Sequence, residues 1–296
     1  SVFLTMLKLL EKGFRIYGCW SIAQENNLLQ ILEALHNFLA QFVKRSRTSH
    51  HRELMKKAYI AQGSKFRRVY ATIVQDVIGG EGAFCDFVSY ATEEQSRVAA
   101  LHKDVQQNAS GTGFSLLLQV YREAHQTMLR LDDLCTRVAA KSGTKFVKAT
   151  LKRMWRSLEK IALKYSLNSD MTQAAAQLKD VARGALQGDM KQLLKALHCI
   201  IADEEACLVR IKNRFDEPAD MGWADCQVMI YFKNDKSRHI CEIQLVHHQL
   251  MIVRSSMGAH HEYANVRSAG ELLTLYGESL PSLMPAGNLC QSGGAT

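Results

Sequence analysis

The chain has 296 residues, 47% of them hydrophobic, a formal net charge of +8 and a sequence isoelectric point near 9.0. That length and apolar content can form one large domain or two modest ones, and no apolar run reaches the roughly 18 residues that a transmembrane helix needs. The eight cysteines include no Cys-x-x-Cys pair. This argues against a disulfide framework or a zinc site, and for free thiols in a reducing intracellular compartment, either the cytosol or an organelle such as a mitochondrion or plastid. The positive charge suits partners that carry phosphate, such as nucleotides, nucleic acid or an anionic surface.

The first half of the chain is predicted to be helical. Proline is absent before Pro218, which favours long helices, and apolar residues recur at helical spacing in three segments. These segments are 1–62, 84–109 and 115–140. Gly79-Gly-Glu-Gly82 is predicted to be a turn, because it lacks the Lys-Ser/Thr ending of a phosphate-binding loop. Residues 1–142 are therefore predicted to form a helical domain.

Residues 44–68 carry nine basic side chains. One interpretation is a solvated helix face, which is the usual role of such a charge run. The other is a surface that binds RNA or an anionic surface. The aromatic residues in this segment are too few to support stacking on single-stranded RNA.

From residue 143 on, the sequence predicts strands as well as helices. Cys226, Val228 and Ile230 recur with the period of two that is typical of a half-buried strand. The predicted order is a helix at 145–165, a strand that starts within Leu178–Arg183, a helix at Met190–Ile201, strands at Ala206–Lys212, Cys226–Lys233 and His239–Val246, and a helix from His247 to Leu275 with a kink near Gly258. The predicted fold class is α+β, with a helical N-terminal region, a mixed sheet of four or five strands in a domain at 143–278, and a disordered tail at 279–296.

Eight polar or aromatic residues are predicted to lie near this sheet. They are Asp180, Arg183, Lys212, Arg214, Trp223, Asp225, Glu242 and Gln244. Glu242 and Gln244 share one face of their strand, because side chains two positions apart point the same way. A charged Glu is costly to bury without a partner. A magnesium ion between Glu242 and Asp180 is one solution, and a salt bridge to Arg183 or Lys212 is the other. Two carboxylates, basic groups and an aromatic ring together match the needs of a nucleotide site.

Five short segments follow one another at compatible spacing between residues 145 and 270. They are Leu151–Lys160 with two Lys eight positions apart, Leu178–Arg183 with its Asp, Ile211–Pro218 followed by Gly222-Trp223, Glu242-Ile-Gln244, and Gly258–Tyr263. Together they resemble the synthetase domain of the RelA/SpoT proteins, the alarmone synthetases, and especially a divergent eukaryotic or protist branch. This resemblance implies a nucleotidyltransferase-like mixed sheet flanked by helices.

The resemblance also implies an activity, the transfer of pyrophosphate from ATP to the 3′-hydroxyl of GDP or GTP. Asp180 and Glu242 would be the catalytic residues and would hold Mg²⁺, with Glu242 also helping to activate the hydroxyl. The residues that would bind the nucleotides are Lys152, Lys160, Arg183, Lys212, Trp223, Gln244 and His260. The Trp223 ring would stack on the guanine.

Four positions depart from the family's pattern. Thr150 and Val246 each replace an Arg, Gln227 replaces a His, and Trp223 replaces a Tyr that stacks on the base. Losing cationic partners of a transferring pyrophosphate weakens the stabilisation of the transition state. The favoured hypothesis is therefore a catalytically impaired domain that binds a nucleotide or acts as a structural subunit, with protein partners in a larger assembly. The alternative is an active guanosine penta- or tetraphosphate synthetase.

Overall fold

A computed structural model describes residues 22–102, 106–108, 110–164, 171–256 and 260–283. The first 21 residues of the helical segment predicted at 1–62 and the part of the predicted tail beyond residue 283 lie outside these ranges. Within the described ranges, no helix is long and apolar enough to cross a membrane.

The described residues form nine helices and one short π-helical segment. The helices are α1 (Ile22–Arg45), α2 (Ser49–Thr72), α3 (Phe84–Leu101), α4 (Gly113–Ser142), α5 (Met154–Lys164), α6 (Met171–Ala176), α7 (Met190–Ile201), α8 (His248–Ser256) and α9 (His260–Leu275), and the π-helical segment Ile73–Ile78 follows α2. Local chemistry sets their ends: the Asp189 side chain accepts a hydrogen bond from the Gln192 amide at the start of α7, and α4 ends at Gly143 in the left-handed conformation. The prediction of a helical N-terminal region is confirmed.

The five strands form a mixed sheet with the spatial order β1-β2-β5-β4-β3. Their bounds are β1 (Lys145–Lys148), β2 (Arg183–Gly188), β3 (Ala206–Asn213), β4 (Cys226–Phe232) and β5 (Cys241–His247). The central strands β2 and β5 are parallel, and every other neighbouring pair is antiparallel. The predicted α+β class with a mixed sheet is confirmed.

The register of the strands gives the sheet one apolar face and one polar face. Arg183 of β2 lies opposite Glu242 of β5, and Gln244 of β5 lies opposite Gln227 of β4. Because side chains alternate along a strand, these residues share one face. The intervening residues, Ile243 among them, are buried on the face that packs against α4 and α7. The polar face is therefore left for other contacts.

The N-terminal helices pack directly on the part of the chain that carries the sheet. One cluster of buried hydrophobic residues extends from Leu32 in α1 to Leu273 in α9. Helix α2 packs along α9. Gly222, in the loop before β4, lies so close to α2 that an added Cβ would be 3.1 Å from the carbonyl oxygen of Arg67. The predicted boundary between a helical and a sheet domain stays a prediction, and one hydrophobic cluster covers both sides of it.

The helix predicted at 145–165 is wrong in its first part. Residues 145–165 do not form one helix, because Lys145–Lys148 pairs with β2 as an edge strand and α5 begins only at Met154. Strand β2 begins at Arg183, the last residue of the predicted range Leu178–Arg183, and residues 178–182 before it form a loop. Glycines weaken the strand signal of β2, but at Gly184 a Cβ would lie 3.1 Å from the Phe146 ring. Close packing between β1 and β2 thus requires glycine at this position, and glycine makes the strand harder to recognise in the sequence.

The helix predicted from His247 to Leu275 is described in two parts, α8 up to Ser256 and α9 from His260. The predicted kink at Gly258 lies outside the described residues. The helix predicted at 84–109 is also shorter than expected, since α3 ends at Leu101.

Three residues of the basic segment 44–68 have partners. Arg52 and Lys56 form ion pairs with Glu278 at 2.7 and 2.8 Å, and Arg67 donates to the carbonyl oxygen of Asp220 at 3.0 Å. The other six basic side chains are exposed. A role for them in binding RNA or an anionic surface stays a prediction.

Candidate functional site

The polar face of the sheet forms the floor of a cleft with a volume of about 690 Å³. Among the described residues, ten cationic and four acidic side chains line it. The cationic ones are Lys152, Arg156, Lys160, Lys179, Arg183, Arg210, Lys212, Arg214, Arg254 and Arg267, and the acidic ones are Asp180, Asp225, Glu242 and Glu271. Cations collected in a concave site raise the local concentration of anions. An excess of six positive charges therefore suits a ligand with several negative charges.

Asp180 lies in the loop that leads into β2, where two lysines meet its carboxylate. Lys152 donates to its Oδ2, and Lys160 Nζ lies 3.1 Å from its Oδ1. Burial by itself would raise the pKa of Asp180, but the charges and hydrogen bonds of Lys152 and Lys160 outweigh it and lower that pKa below its usual range. Three of the residues predicted for the nucleotide site thus form one ionised cluster.

Glu242 is the most deeply buried carboxylate of the predicted site, with 4% of its surface exposed. Gln244 Nε2 donates to its Oε1 at 2.6 Å, as expected for two residues on one strand face. Burial, together with the negative charges of Asp180 and Asp225, raises the pKa of Glu242 to about 7. Although Arg183 lies opposite it in the sheet, no ion pair joins Glu242 to any cation in the described part of the chain.

Lys152 is held by its backbone as well as by its side chain. Its amide donates to the carbonyl oxygen of Val181 at 3.0 Å, and the Tyr121 hydroxyl donates to its carbonyl oxygen at 2.7 Å. Burial lowers the pKa of its amine to about 8, although the charge of Asp180 opposes that change. Lys152 therefore remains largely protonated at neutral pH, in a place set by three other residues.

The other residues predicted to bind nucleotide reach the same cleft, with one exception. Those that line it are Lys160, Arg183, Lys212, Trp223 and Gln244. His260 is the first residue of α9, and its side chain lies outside what the structure describes. Its predicted role stays a prediction.

Several residues that line the cleft are missing from the sequence prediction. They include Tyr70, Arg254 and Arg267. A sequence signal existed for Arg267, because it follows Tyr263 of the fifth family-like segment by four positions and so shares its helix face. Tyr70 has no such signal, since it comes from α2 and reaches the site only through the packing of α2 on α9.

The Trp223 ring, predicted to stack on a guanine base, is covered in this structure. Only 7% of Trp223 is exposed. Tyr70 approaches it edge-on with ring centroids 5.3 Å apart, and the Arg254 guanidinium carbon lies 5.0 Å from its ring centroid. The preceding Gly222 adopts φ +80°, a left-handed conformation that glycine adopts without strain. A base can stack on Trp223 only after Arg254 has moved.

The chemistry of the two carboxylates fits a magnesium ion. In nucleotide sites Mg²⁺ is usually held by one or two protein carboxylates, and water and phosphate oxygens complete its coordination. Asp180 and Glu242 supply two such groups beside the cations that would meet the phosphates. The described residues contain no group of three or more His, Cys, Asp or Glu side chains that could hold a metal by protein ligands alone. The donor set therefore suits a metal that arrives with a nucleotide.

No protein-family model and no curated protein matches the sequence. Among solved structures, the chain is similar to small alarmone synthetase 1 from Bacillus subtilis bound to its product pppGpp, with 12% identity and a TM-score of 0.38 over 52% of this chain and 90% of that one. It is also similar to small alarmone synthetase 2 from Bacillus subtilis, with 15% identity and a TM-score of 0.37 over 52% and 89%. A GTP pyrophosphokinase family protein from Streptococcus pneumoniae matches with 11% identity and a TM-score of 0.35 over 53% and 86%.

The matched proteins bear the names of the family that the sequence motifs resemble. The eukaryotic or protist branch stays a prediction. At these identities and TM-scores, function has to be argued from the residues of the cleft itself.

Proposed function

We propose that this protein binds a nucleoside triphosphate of the ATP or GTP type together with Mg²⁺ in the cleft. The observation that carries the proposal is that Asp180 and Glu242 line one cleft that also holds an excess of six cationic side chains. Carboxylates without such cations would repel phosphate, and cations without carboxylates would not hold a metal. The combination of carboxylates and cations favours a ligand that carries both phosphate groups and a metal ion.

The charges of the residues indicate which part of the ligand each would bind. Lys152 and Lys160 are paired with Asp180, and a metal ion on Asp180 would leave these ammonium groups to neutralise phosphate oxygens. Arg183 stands beside Glu242 in the sheet without an ion pair among the described residues, so its guanidinium is available for the same purpose. Mg²⁺, when bound, supplies Lewis-acid stabilisation of charge on the phosphates.

The test is thermal unfolding with and without nucleotide. A ligand at 100 times its Kd stabilises the folded state by about 2.7 kcal/mol, which is about 4–5 °C for a chain of this size. We expect millimolar ATP or GTP with Mg²⁺ to raise the Tm of the wild type by that amount. In Glu242→Gln, most of the rise in Tm that depends on Mg²⁺ should be lost. The matched control is Glu204→Gln, since Glu204 is exposed and lies away from the cleft lining. An unchanged wild-type Tm would overturn the proposal.

Transfer of pyrophosphate is the second candidate, and the pKa of Glu242 favours it. A carboxylate with a pKa of about 7 can accept a proton from a sugar hydroxyl near neutral pH. In that step the 3′-oxygen of a guanine nucleotide forms a bond to the β-phosphorus of ATP. The bond between the β-phosphorus and the oxygen that joins it to the α-phosphate breaks, AMP leaves, and the hydroxyl proton passes to Glu242.

The acceptor base would have to displace Arg254 from Trp223, which is consistent with impaired activity. Incubation with ATP labelled in its terminal phosphates, GDP and Mg²⁺ decides between enzyme and binding module. A labelled guanosine tetraphosphate that disappears in Glu242→Gln would establish the enzyme. Stabilisation by ATP without product would favour a binding module that serves a larger assembly through protein partners.

A further inference from the structure

Gln107 joins the two backbone segments that carry the carboxylates of the cleft. It lies between α3 and α4, outside the segments that resemble the alarmone synthetases, and is 5% exposed. Its Nε2 donates to the carbonyl oxygen of Leu178 at 2.8 Å and to that of Ile240 at 3.1 Å. Its Oε1 accepts from the Ile240 amide at 2.9 Å. The whole carboxamide is thus used on the main chain of these two segments.

The two residues that Gln107 contacts lie close to the carboxylates in the chain. Leu178 lies two residues before Asp180, and Ile240 lies two residues before Glu242. Beyond them the segments join directly, since the Glu242 amide donates to the carbonyl oxygen of Ala182 at 3.0 Å. The loop that carries Asp180 is therefore fastened to the start of β5 on both sides of the carboxylate. A third contact, from the Lys152 amide to Val181, holds the same loop.

We propose that Gln107 is a positioning residue that sets the placement of Asp180 relative to Glu242, and thereby the affinity of the cleft for a nucleotide with bound Mg²⁺. The proposal rests on the proposed function. A carboxamide alone among side chains of this length offers two donors and an acceptor in one plane. Methionine has the same length and none of these groups. A carboxylate keeps the acceptor and loses both donors.

The magnitude follows from how metal ligands respond to loss of their supports. Substituting a residue that orients a metal ligand typically lowers metal affinity about 10- to 100-fold. Magnesium needs a near-ideal octahedron, so a small displacement of one carboxylate matters more for the metal than for phosphates. The cations of the cleft attract phosphate over a longer distance and tolerate such a displacement.

The experiment measures ATP affinity by calorimetry at 10 °C, once with Mg²⁺ and once with EDTA, for the wild type, Gln107→Met and Gln192→Met. Gln192 is the matched control, because its side chain also bridges two main-chain segments, with Nε2 donating to Gly143 at 2.8 Å and Oε1 accepting from Asp189 at 3.0 Å. Those contacts lie at the opposite end of β2. In Gln107→Met we expect the gain in affinity due to Mg²⁺ to fall about 10- to 100-fold, with the affinity in EDTA nearly unchanged. Gln192→Met should keep the gain.

Each other outcome has a distinct meaning. A wild type that gains no affinity from Mg²⁺ refutes the proposed function itself. A wild type with the gain, and a Gln107→Met variant that keeps it, refutes only the positioning role. Equal losses in the two variants also refute it, because they indicate general loosening of the fold. Gln107→Glu, which keeps the acceptor for the Ile240 amide, is measured in the same way and decides the matter if Gln107→Met does not fold.

Discussion

Replacing Glu242 with Gln should stabilise the protein in the absence of ligand, and more strongly as the pH rises. The pKa of Glu242 is raised from an ordinary 4.5 to about 7 by burial and by the charges of Asp180 and Asp225. A tenfold change in proton affinity corresponds to about 1.4 kcal/mol, so ionised Glu242 costs the folded state about 3 kcal/mol at pH 8. Gln keeps the shape of the side chain and removes the charge.

The sign follows from which state holds the proton. Below pH 4.5, Glu242 is protonated in both the folded and the unfolded chain, and the wild type and variant should be equally stable. Between pH 4.5 and 7 the unfolded chain releases a proton that the folded protein retains, so the wild type loses stability relative to the variant. Above pH 7 the difference should become constant.

The assay is urea unfolding of both proteins at several pH values from 4.5 to 8.5, with Glu204→Gln as the control for loss of one exposed negative charge. The free energies of unfolding of Glu242→Gln and wild type should diverge by about 3 kcal/mol over this range, while the control should follow the wild type. A variant that is no more stable than the wild type at pH 8 would refute the description of Glu242 as a desolvated carboxylate. A site that sacrifices stability in this way is expected where function requires the charge.

Three further perturbations test the surroundings of the cleft. Arg254→Ala should increase acrylamide quenching of Trp223 fluorescence, because the guanidinium that covers the ring is removed. The Trp223 signal is obtained by subtracting the fluorescence of Trp223→Phe, and unchanged quenching would contradict the covered ring. Gly222→Ala should lower the free energy of unfolding by about 1–3 kcal/mol, since the residue has φ +80° and lies against α2, and a wild-type Tm would count against that strain. Tyr121→Phe should cost about 1–2 kcal/mol in urea unfolding, because the buried carbonyl oxygen of Lys152 loses its donor, and a neutral result would mean that water replaces the hydroxyl.

Local patterns in the sequence were sufficient for the elements whose side chains repeat with a clear period. Helix α7 has the predicted bounds Met190–Ile201, and β4 begins at the predicted Cys226. Most of their apolar residues face the main core, so the period of the pattern reports the structure directly, although Met229 of β4 is buried in a smaller cluster on the other face. Strands β1 and β2 lacked that pattern, because one is a short edge strand and the other contains glycines that its neighbour requires.

The motifs in the sequence were enough to predict that four charged residues lie close together. Asp180, Glu242, Lys152 and Lys160 come from segments with recognisable motifs, and all four line one cleft. Motifs are local, and the order of the strands brings their residues to one face of the sheet.

The supports of that site and its openness depend on tertiary packing and could not be predicted from local motifs. Three contacts join positions that are far apart in the chain. Arg254 covers the Trp223 ring, Tyr70 of α2 approaches the same ring, and Gln107 bridges Leu178 and Ile240. Such contacts depend on how helices and strands pack. Each is made by a single residue, so no repeating pattern in the sequence indicates it. The raised pKa of Glu242 has the same origin, because burial and neighbouring charges exist only once the chain has folded.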